Sequence, residues 1–420
     1  MGRQQAEHLG LPIDPRPTWG SGGRAPVVAI LSAETGSGHH TVAHALAHEV
    51  QRRSGGAVRA RVINAFAGDR RRSSWGGIVE ETYGTTIVHA PALWGAFYRA
   101  TNRPWLLEAA ASGPARWAVR HMSALLSATQ PDLVVAAHPL ALWLAAHAHA
   151  AGDLPGGRHA PLWALVTDLV SIHAAWRQPG VERYIVGCPE SVTSLARWGL
   201  HPEDITVAGL PIDRAFGQIG ALSSAHDPGR RLETVLVMGG GDGAGGVVEV
   251  TRTILRSGLP LGVIAICGRN QRAYSLLRAW GDAGGRLRVY GMVDGVAPLM
   301  ARADVVITKA GSVTIAEAAA AARPIIISAT VPGQESGNGA LLARYGAGLV
   351  AHGPANVVGA LRLLHQYPAR LTALAHGCRL LARPQAAETV AMAVQARLGA
   401  SGGLGHHDAA YAPAAENSNV

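Results

Sequence analysis

Pro26-Val-Val-Ala-Ile-Leu31 is the stretch that decides the fold, because it leads through Gly36-Ser37-Gly38 into a helical pattern with Val42, Leu46 and Val50. Short, wholly apolar runs of this kind fill the strands of a parallel sheet that is covered on both faces. A strand, a glycine turn and a helix in this order form the first unit of an open α/β domain. The sequence therefore predicts a doubly wound α/β fold.

The same unit recurs along the chain in two series. Predicted strands of the first series, separated by Ala-rich helical stretches, are 58–63, 133–137, 162–166, 184–186 and 205–208. Predicted strands of the second series are 234–237, 261–266, 287–290, 305–308 and 324–328. Residues 217–231 are rich in Gly, Ser, His and Asp with little periodicity, which is typical of an interdomain linker.

These patterns predict two α/β domains of similar size. We expect a mobile N-terminal segment (1–25), an N-terminal domain (26–216), a linker (217–231), a C-terminal domain (232–399) and a mobile tail (400–420). The helical pattern in 384–399 either ends the second domain or crosses back to the first.

Composition and charge indicate a folded protein with an anionic partner. The 420 residues are 48% hydrophobic and 15% charged, the opposite of a disordered chain. The net charge of +9 is compatible with a nucleotide, an acidic lipid or a nucleic acid. A nucleic-acid binder would leave the glycine motifs described below without a role. Lys309 is the only lysine among the 37 basic residues, which we interpret as the bias of a GC-rich genome.

Neither a metal site nor a membrane span is predicted. The three cysteines form no Cys-x-x-Cys pair, which argues against a zinc cluster. His40, His44 and His48 have the spacing of metal ligands, but no His-Glu-x-x-His motif accompanies them, so they are interpreted as a polar helix face. Residues 1–25 have no apolar core, and the apolar run 134–152 is interrupted by histidines that would be costly in hydrocarbon.

Two glycine loops lie where open α/β domains bind ligands, at the carboxyl ends of strands. In the first loop, His39 stands at a helix start, where the helix dipole would keep it a neutral base; an exposed histidine on a plain turn is the alternative. The second loop, Gly239–Gly246, predicts an anion nest for a pyrophosphate. It has no Gly-Lys-Ser/Thr ending, and the acidic residue of a dinucleotide fingerprint is missing.

The densest polar pattern comprises Ile307–Glu317 and Pro332–Asn338, each a strand end, a small-residue loop and a helix start. Glu317 could accept hydrogen bonds from two vicinal hydroxyls, and the polar residues of the second stretch could bind a sugar. Alternatively, these groups are helix-start carboxylates and capping residues.

Seven motifs occur in a specific order: Gly36-Ser-Gly-His39, Val166-Thr-Asp168, Gly239-Gly-Gly-Asp-Gly243, Cys267-Gly-Arg-Asn270, Ile307-Thr-Lys-Ala-Gly311, Thr314-Ile-Ala-Glu317 and Pro332-Gly-Gln-Glu-Ser-Gly-Asn338. From about Val27 to Gly348 the chain resembles the monogalactosyldiacylglycerol synthase and processive diacylglycerol glucosyltransferase family. It is more distantly similar to the lipid-linked N-acetylglucosaminyltransferase of peptidoglycan synthesis.

The resemblance implies a GT-B glycosyltransferase, in which two facing Rossmann-like domains bind a lipid acceptor and a nucleotide sugar across a cleft. It implies transfer of a hexose from a UDP-sugar to diacylglycerol or a related lipid, with inversion at the anomeric carbon. No metal is required, since backbone dipoles and helix ends neutralise the leaving group. The identity of the sugar stays open. The identity of the nucleotide base also stays open, because Met292 replaces the family's usual Phe.

By this resemblance His39 is the general base. Asp168 either orients His39, contacts the acceptor or caps its strand. The implied donor site comprises Gly240, Gly241, Asp242, Gly243, Arg269, Asn270, Met292, Val293, Lys309, Gly311, Ser312, Thr314, Glu317, Gln334, Glu335 and Asn338. Within this set the glycines hold the diphosphate, Glu317 binds the ribose, and Gln334, Glu335 and Asn338 bind the hexose.

Aromatic residues are concentrated in 75–105, next to several arginines. Amphipathic aromatics beside arginine suit a membrane interface, and the family has its acceptor segment here, although ordinary core packing is the alternative. The expected acceptor site comprises Gly38, Tyr83, Pro91, Trp94 and Tyr98. We expect a peripheral protein on the cytoplasmic face of the cell membrane.

Three other functions fit parts of this sequence. A nucleotide-sugar epimerase shares the two-domain architecture but acts on the donor alone and would not need the aromatic segment. A degenerate scaffold that binds a nucleotide sugar without turnover is disfavoured by the presence of His39 and Glu317. A glycosyltransferase of the N-acetylglucosaminyltransferase type, or one acting on another natural product, stays open.

Overall fold

The described residues form two β-sheets, each of six parallel strands. The structure is a computed structural model that describes residues 24–33, 37–66, 86, 90–103, 115–150, 160–223, 231–241, 243 and 245–402. The predicted terminal segments up to 23 and from 403, and residues 224–230 of the predicted linker, lie outside these ranges. The two parallel sheets confirm the predicted α/β class.

The N-terminal sheet contains β1 (Val27–Ser32), β2 (Arg59–Asn64), β3 (Leu133–Ala136), β4 (Leu162–Leu165), β5 (Val181–Val186) and β6 (Ile205–Val207). Its spatial order is β2-β1-β3-β4-β5-β6. The C-terminal sheet contains β7 (Thr234–Met238), β8 (Gly262–Ile266), β9 (Leu287–Tyr290), β10 (Val305–Lys309), β11 (Ile325–Ala329) and β12 (Gly348–Val350). Its spatial order is β12-β11-β10-β7-β8-β9.

Helices cover both sheets. Those that precede or follow N-terminal strands are α1 (Gly38–Arg53), α2 (Pro91–Thr101), α3 (Arg116–Thr129), α4 (Pro139–Ala150), α5 (Pro189–Ala196) and α6 (Arg214–Leu222). Those of the second half are α7 (Val247–Arg256), α8 (Gln271–Arg278), α9 (Ala297–Ala301), α10 (Ser312–Ala320), α11 (Asn338–Tyr345), α12 (Pro354–Gln366), α13 (Pro368–Leu381) and α14 (Ala386–Gly402). Short 3₁₀ turns occupy Ala174–Trp176 and Pro202–Asp204.

Each sheet has one point where the strand order reverses. The chain leaves β1 toward β2 and then returns to β3 on the other side of β1, and the same reversal separates β10 from β7. Loops that follow such a pair of strands diverge and leave a crevice at the carboxyl edge, which is where open α/β sheets bind ligands. Both glycine loops predicted from the sequence follow strands at these crevices.

One continuous apolar core joins the two domains. It includes Leu46 of α1, Leu236 of β7, Ile315 of α10 and Val394 of α14, all almost fully buried. Packed side chains therefore hold the two domains together.

Two helices at the domain boundary, α6 and α14, do not follow the predicted division of the chain into domains and linker. The first part of the predicted linker is helical. Helix α6 buries Phe216 and is capped by Asp213, whose carboxylate accepts from the Ala215 amide. Helix α14 crosses back from the second domain and packs on α1. Its Glu388 accepts from Arg53 at 2.6 Å. The crossing-back alternative for this segment is thus the observed one.

The close approach of α6 to α10 depends on Gly220. A Cβ atom on this glycine would lie 2.0 Å from the Ala320 carbonyl oxygen, so the two helix backbones touch. We expect Gly220→Ala to lower the free energy of unfolding by about 1–3 kcal/mol, as overpacked positions do. Differential scanning calorimetry measures this change.

Gly359→Ala is the matched control for this substitution. Gly359 lies on the exposed face of α12, and a Cβ atom added there would meet no other atom within 4 Å. Alanine should therefore stabilise the helix by about 0.5–1 kcal/mol. Equal effects of the two substitutions would contradict the tight contact between α6 and α10.

Candidate active site

The two crevices face each other and touch at their glycine loops. The Ser37 hydroxyl accepts a hydrogen bond from the Gly241 amide at 3.1 Å. Next to it, a Cβ on Gly38 would lie 3.3 Å from the Val313 side chain of α10. Residues predicted to bind acceptor and donor are therefore brought to one cleft, although they lie more than 200 positions apart in the chain.

His39 begins α1 and is held as a neutral imidazole. Its Nδ1 lies 2.8 Å from the Ala137 carbonyl oxygen and 2.9 Å from the Thr167 hydroxyl. Because a carbonyl can only accept, Nδ1 carries the proton and Nε2 keeps its lone pair. Burial, with a smaller contribution from the nearby Lys309 charge, lowers the pKa of His39 to about 4. His39 is thus neutral, as predicted, but burial rather than the helix dipole is the main cause. Its role as the general base stays a prediction.

Asp168 does not orient His39, in contrast to one predicted role. Its carboxylate accepts from the Trp176 indole at 2.8 Å, while the His39 Nδ1 contacts go to Ala137 and Thr167. Burial raises the pKa of Asp168 to about 6 despite the indole hydrogen bond, and Glu335 adds to the increase. Asp168 thus fixes the 3₁₀ turn at the cleft. Contact of Asp168 with the acceptor stays a prediction.

The glycine nest follows β7 and packs against the loop that follows β8. Gly243 has a positive φ of 63°, and a Cβ there would lie 2.4 Å from the Cys267 carbonyl oxygen. The Arg269 amide donates to the Gly241 carbonyl at 2.8 Å. Asp242 lies outside the described residues. A cavity of about 410 Å³ adjoins the nest, with Asn270, Lys309 and Val331 in its wall.

Lys309 and Glu335 form an ion pair at the cleft. The second oxygen of Glu335 accepts from the Val331 amide at 2.9 Å, and the carboxylate is 4% exposed. Both oxygens therefore have a protein partner, and because each can accept a further hydrogen bond, contact of Glu335 with the hexose stays a prediction.

Glu317 is buried on α10, close enough to Asp213 for the two carboxyls to repel. Burial, with the Asp213 charge as a second cause, raises the pKa of Glu317 to about 8. The carboxyl is therefore mostly protonated at neutral pH. Hydrogen bonds from ribose hydroxyls would favour its ionised form.

The remaining predicted donor residues fall into two groups. Asn270 and Asn338 form hydrogen bonds within the protein. Asn270 accepts from the Ala273 amide at 2.9 Å, and Asn338 donates to the Ala310 carbonyl at 2.8 Å. Exposed or half-buried positions around the cleft are taken by Gly240, Arg269, Met292, Val293, Gly311, Ser312, Thr314 and Gln334. Their contacts with a donor stay predictions.

On the acceptor side, Tyr98 is a structural bridge. It is buried on α2, its hydroxyl donates to the Ser171 carbonyl at 2.9 Å, and its ring packs on Gly333 of the second domain. Trp94 is half-buried, Pro91 begins the helix, and Tyr83 lies outside the described residues. The large exposed apolar side chains of α2 are Leu93 and Phe97, which were not among the predicted site residues.

Two further residues were missed by sequence reasoning. Thr167 contacts His39 directly, and it is the middle residue of the Val166-Thr-Asp168 motif, so its position in the motif was the available signal. His138 follows Ala137, and its ring lies edge-on to His39 with 4.6 Å between centroids. Its Nδ1 accepts from the Leu140 amide at 3.2 Å, and burial lowers its pKa.

No group of three His, Cys, Asp or Glu side chains in the described ranges is placed to hold a metal ion. Across the same part of the chain, none of the helices combines the length and hydropathy that a transmembrane helix needs.

Comparisons with known proteins agree with this geometry. Residues 39–212 match the family described as monogalactosyldiacylglycerol (MGDG) synthase, and residues 234–350 match the glycosyltransferase family 28 C-terminal domain. Monogalactosyldiacylglycerol synthase 2 of Arabidopsis thaliana is 28% identical over 80% of this chain and 74% of its own length. The probable monogalactosyldiacylglycerol synthase 2 of Oryza sativa subsp. japonica is 30% identical over 78% of this chain and 71% of its own length.

Solved structures share the fold at low identity. MurG of Acinetobacter baumannii has a TM-score of 0.50 at 16% identity, covering 88% of this chain and 99% of its own. A UDP-GlcNAc 2-epimerase from Neisseria meningitidis has a TM-score of 0.55 at 9% identity with the same coverage. These likenesses and the two parallel sheets confirm the GT-B fold. By its sequence relatives, the chain belongs to the monogalactosyldiacylglycerol synthase family.

Proposed function

We propose that this chain transfers a hexose, galactose by the names of its relatives, from a UDP-sugar to the free hydroxyl of diacylglycerol. The observation that carries the proposal is the neutral His39, held through Nδ1 at one crevice, two residues from Ser37, whose hydroxyl accepts from the Gly241 amide of the glycine nest. In a chain of this family, that pair of features supplies a base and a leaving-group site on opposite sides of one cleft.

The chemical step follows from these positions. The acceptor oxygen forms a bond to the anomeric carbon while the bond from that carbon to the diphosphate breaks. The hydroxyl proton passes to Nε2 of His39, whose Nδ1 proton is stabilised by the Ala137 carbonyl and Thr167. Attack from the side opposite the diphosphate inverts the anomeric carbon. Because its pKa is about 4, His39 is ready to accept a proton throughout the neutral range.

Backbone amides of the nest and the cation of Lys309 stabilise the leaving diphosphate in this proposal. Preorganised donors of this kind stabilise developing charge without reorganising during the reaction. We therefore infer that the reaction needs no metal ion. Glu317, further along α10, is assigned to the ribose hydroxyls.

An epimerase remains the second candidate, because proteins of that activity share the fold. Helix α2 favours the transferase. It connects the two domains through Gly95, whose added Cβ would lie 2.6 Å from Pro332, and through Tyr98 on Gly333. An enzyme that acts only on the donor has no use for an apolar acceptor helix at the mouth of the cleft.

The acceptor helix also suggests how the protein reaches its lipid. Leu93 and Phe97 are one helical turn apart and are 65% and 56% exposed, so they form an apolar face on the solvent side of α2. Arg99 and Arg103 near the end of the helix are exposed as well. Apolar side chains beside arginines suit insertion into an anionic membrane surface. We infer peripheral attachment through α2; the cytoplasmic leaflet stays a prediction.

His39→Ala should reduce transfer at least about 10²-fold, the usual contribution of a general base, and should leave UDP affinity nearly unchanged. Purified protein is incubated with diacylglycerol vesicles and a panel of UDP-sugars, and glycolipid is quantified by mass spectrometry. His48→Ala, an exposed histidine on the same helix, is the control. Full activity of His39→Ala would refute the base assignment, and absence of glycolipid with every donor would refute the transferase.

Affinity for the donor should rise with pH up to about 8. Glu317 must lose its proton to accept from two hydroxyls, and its pKa of about 8 makes that loss costly at lower pH, so affinity falls by up to about tenfold per pH unit. Calorimetry with UDP-galactose between pH 6.5 and 9, without acceptor, measures this. Glu317→Gln should bind more weakly and without the pH dependence; identical profiles for both proteins would exclude the ribose role.

Replacing Leu93 and Phe97 together by serine should abolish co-sedimentation with anionic diacylglycerol vesicles, because the apolar face is lost. Transfer to short-chain diacylglycerol dissolved in detergent should be retained. Leu380→Ser is the matched control, since Leu380 on α13 is 54% exposed and far from α2 in the chain. Unchanged vesicle binding by the double variant would contradict attachment through α2.

A further inference from the structure

Residues 332–338 form the donor loop, which contains predicted hexose ligands of the C-terminal domain, yet its first residues pack on α2 of the N-terminal domain. A Cβ on Gly333 would lie 2.6 Å from the Tyr98 ring, and a Cβ on Gly95 would lie 2.6 Å from Pro332. Gly333 has a positive φ of 96°, which favours glycine, and the missing side chain leaves room for the ring. Helix and loop are therefore in direct contact.

The end of the donor loop is also held by the N-terminal domain. The Gly337 amide donates to the Ser171 hydroxyl at 3.0 Å, and a Cβ on Gly337 would lie 2.6 Å from the Val170 side chain. The carbonyl of Ser171 in turn accepts from the Tyr98 hydroxyl at 2.9 Å. Tyr98 thus contacts the loop directly at Gly333 and indirectly, through Ser171, at Gly337.

Helix α2 has two faces with different surroundings. At 3.6 residues per turn, Gly95, Tyr98 and Asn102 share the face toward the protein, where Asn102 accepts from a backbone amide of the 3₁₀ turn at 2.6 Å. Leu93 and Phe97 lie on the opposite face and are 65% and 56% exposed. A helix of 11 residues is only marginally stable in water by itself, so its conformation depends on what covers both faces.

We propose that α2 transmits contact with an anionic lipid surface to the donor loop, and that Tyr98 and Ser171 are positioning residues for the donor. Lipid that covers Leu93 and Phe97 favours the helical conformation, in which these two side chains share one face. In that conformation the opposite face holds the donor loop, so the donor meets a preformed site. The inference rests on the proposed function and adds to it a regulation of donor binding by the lipid surface.

Coupling of this kind acts in both directions. If the lipid surface raises the affinity for a UDP-sugar by some factor, the bound UDP-sugar raises the affinity for the surface by the same factor. The coupling also depends on the hexose, because the donor loop contains the predicted hexose ligands. UDP lacks the hexose, so a lipid surface should change its affinity less.

The first test measures the coupling by calorimetry. UDP-galactose is titrated into the protein with and without vesicles of phosphatidylglycerol and phosphatidylcholine, which contain no diacylglycerol and so allow no transfer to it. Affinity should rise at least about fivefold on vesicles, the lower end of typical coupling between two sites, and should rise less for UDP. The double serine variant of Leu93 and Phe97 should show the lower affinity in both conditions.

Two outcomes of this titration have different meanings. Unchanged affinity for UDP-galactose in protein that co-sediments with the vesicles would overturn the coupling alone. Failure of the unaltered protein to bind UDP-galactose in either condition would instead overturn the proposed function.

The second test loosens the donor loop without changing α2. Ser171→Ala removes the hydroxyl that binds the Gly337 amide and keeps the carbonyl that binds Tyr98. It should raise the KM for UDP-galactose about fivefold, as loss of one hydrogen bond does, and leave the KM for diacylglycerol and vesicle binding unchanged. Ser127→Ala, which removes a half-buried hydroxyl bonded within α3, is the matched control and should change none of these.

Tyr98→Phe extends this test to the helix. The variant keeps the ring on Gly333 but loses the hydrogen bond to Ser171, so it should raise the same KM and retain vesicle binding. Equal changes in the KM values of donor and acceptor, or no change in either variant, would overturn the positioning role of Tyr98 and Ser171.

Discussion

All functional features depend on one constraint, the parallel direction of the strands within each sheet. Parallel strands place every carboxyl end at the same edge, so the loops that follow β1, β3, β7 and β10 collect there without any specific attraction between them. Reversal of strand order then separates the loops in pairs and leaves a crevice in each sheet. A continuous apolar core fixes the two edges face to face, and the contact between Ser37 and Gly241 marks where they meet.

Sequence reasoning predicted the fold well because buried parallel strands are continuous apolar runs. Eleven of the twelve described strands were expected, most within two residues of their observed ends. Strand β12 was missed because Gly348–Val350 is too short to form a recognisable run. Helix α6 was missed because its glycines suggested a loop, while Gly220 in fact allows the helix to contact α10. Long-range packing of this kind leaves no periodic signal.

For the site, the sequence identified the correct edge but could not assign partners to individual polar groups. His39 is neutral, as expected, but the main cause is burial and not its position at a helix start, so the expected state rested on the wrong reason. Asp168, Glu335 and Tyr98 were candidates for facing ligands or the base, and each has a protein partner that the sequence did not indicate: an indole, an ammonium and a carbonyl. A motif indicates which residue types gather at an edge. Whether a polar atom faces the ligand or its neighbour depends on contacts between segments distant in the chain.

The placement of Lys309 couples the two halves of the proposed reaction. Burial, with a smaller contribution from the Lys309 cation, makes His39 a weak base. Proton transfer from the acceptor would therefore leave an imidazolium near an ammonium in a site of low dielectric. That arrangement is unfavourable by Coulomb's law unless negative charge develops at the same time. Cleavage of the bond to the diphosphate supplies that charge and offsets both cations. In the proposed reaction, deprotonation of the acceptor is therefore favourable only as the leaving group departs.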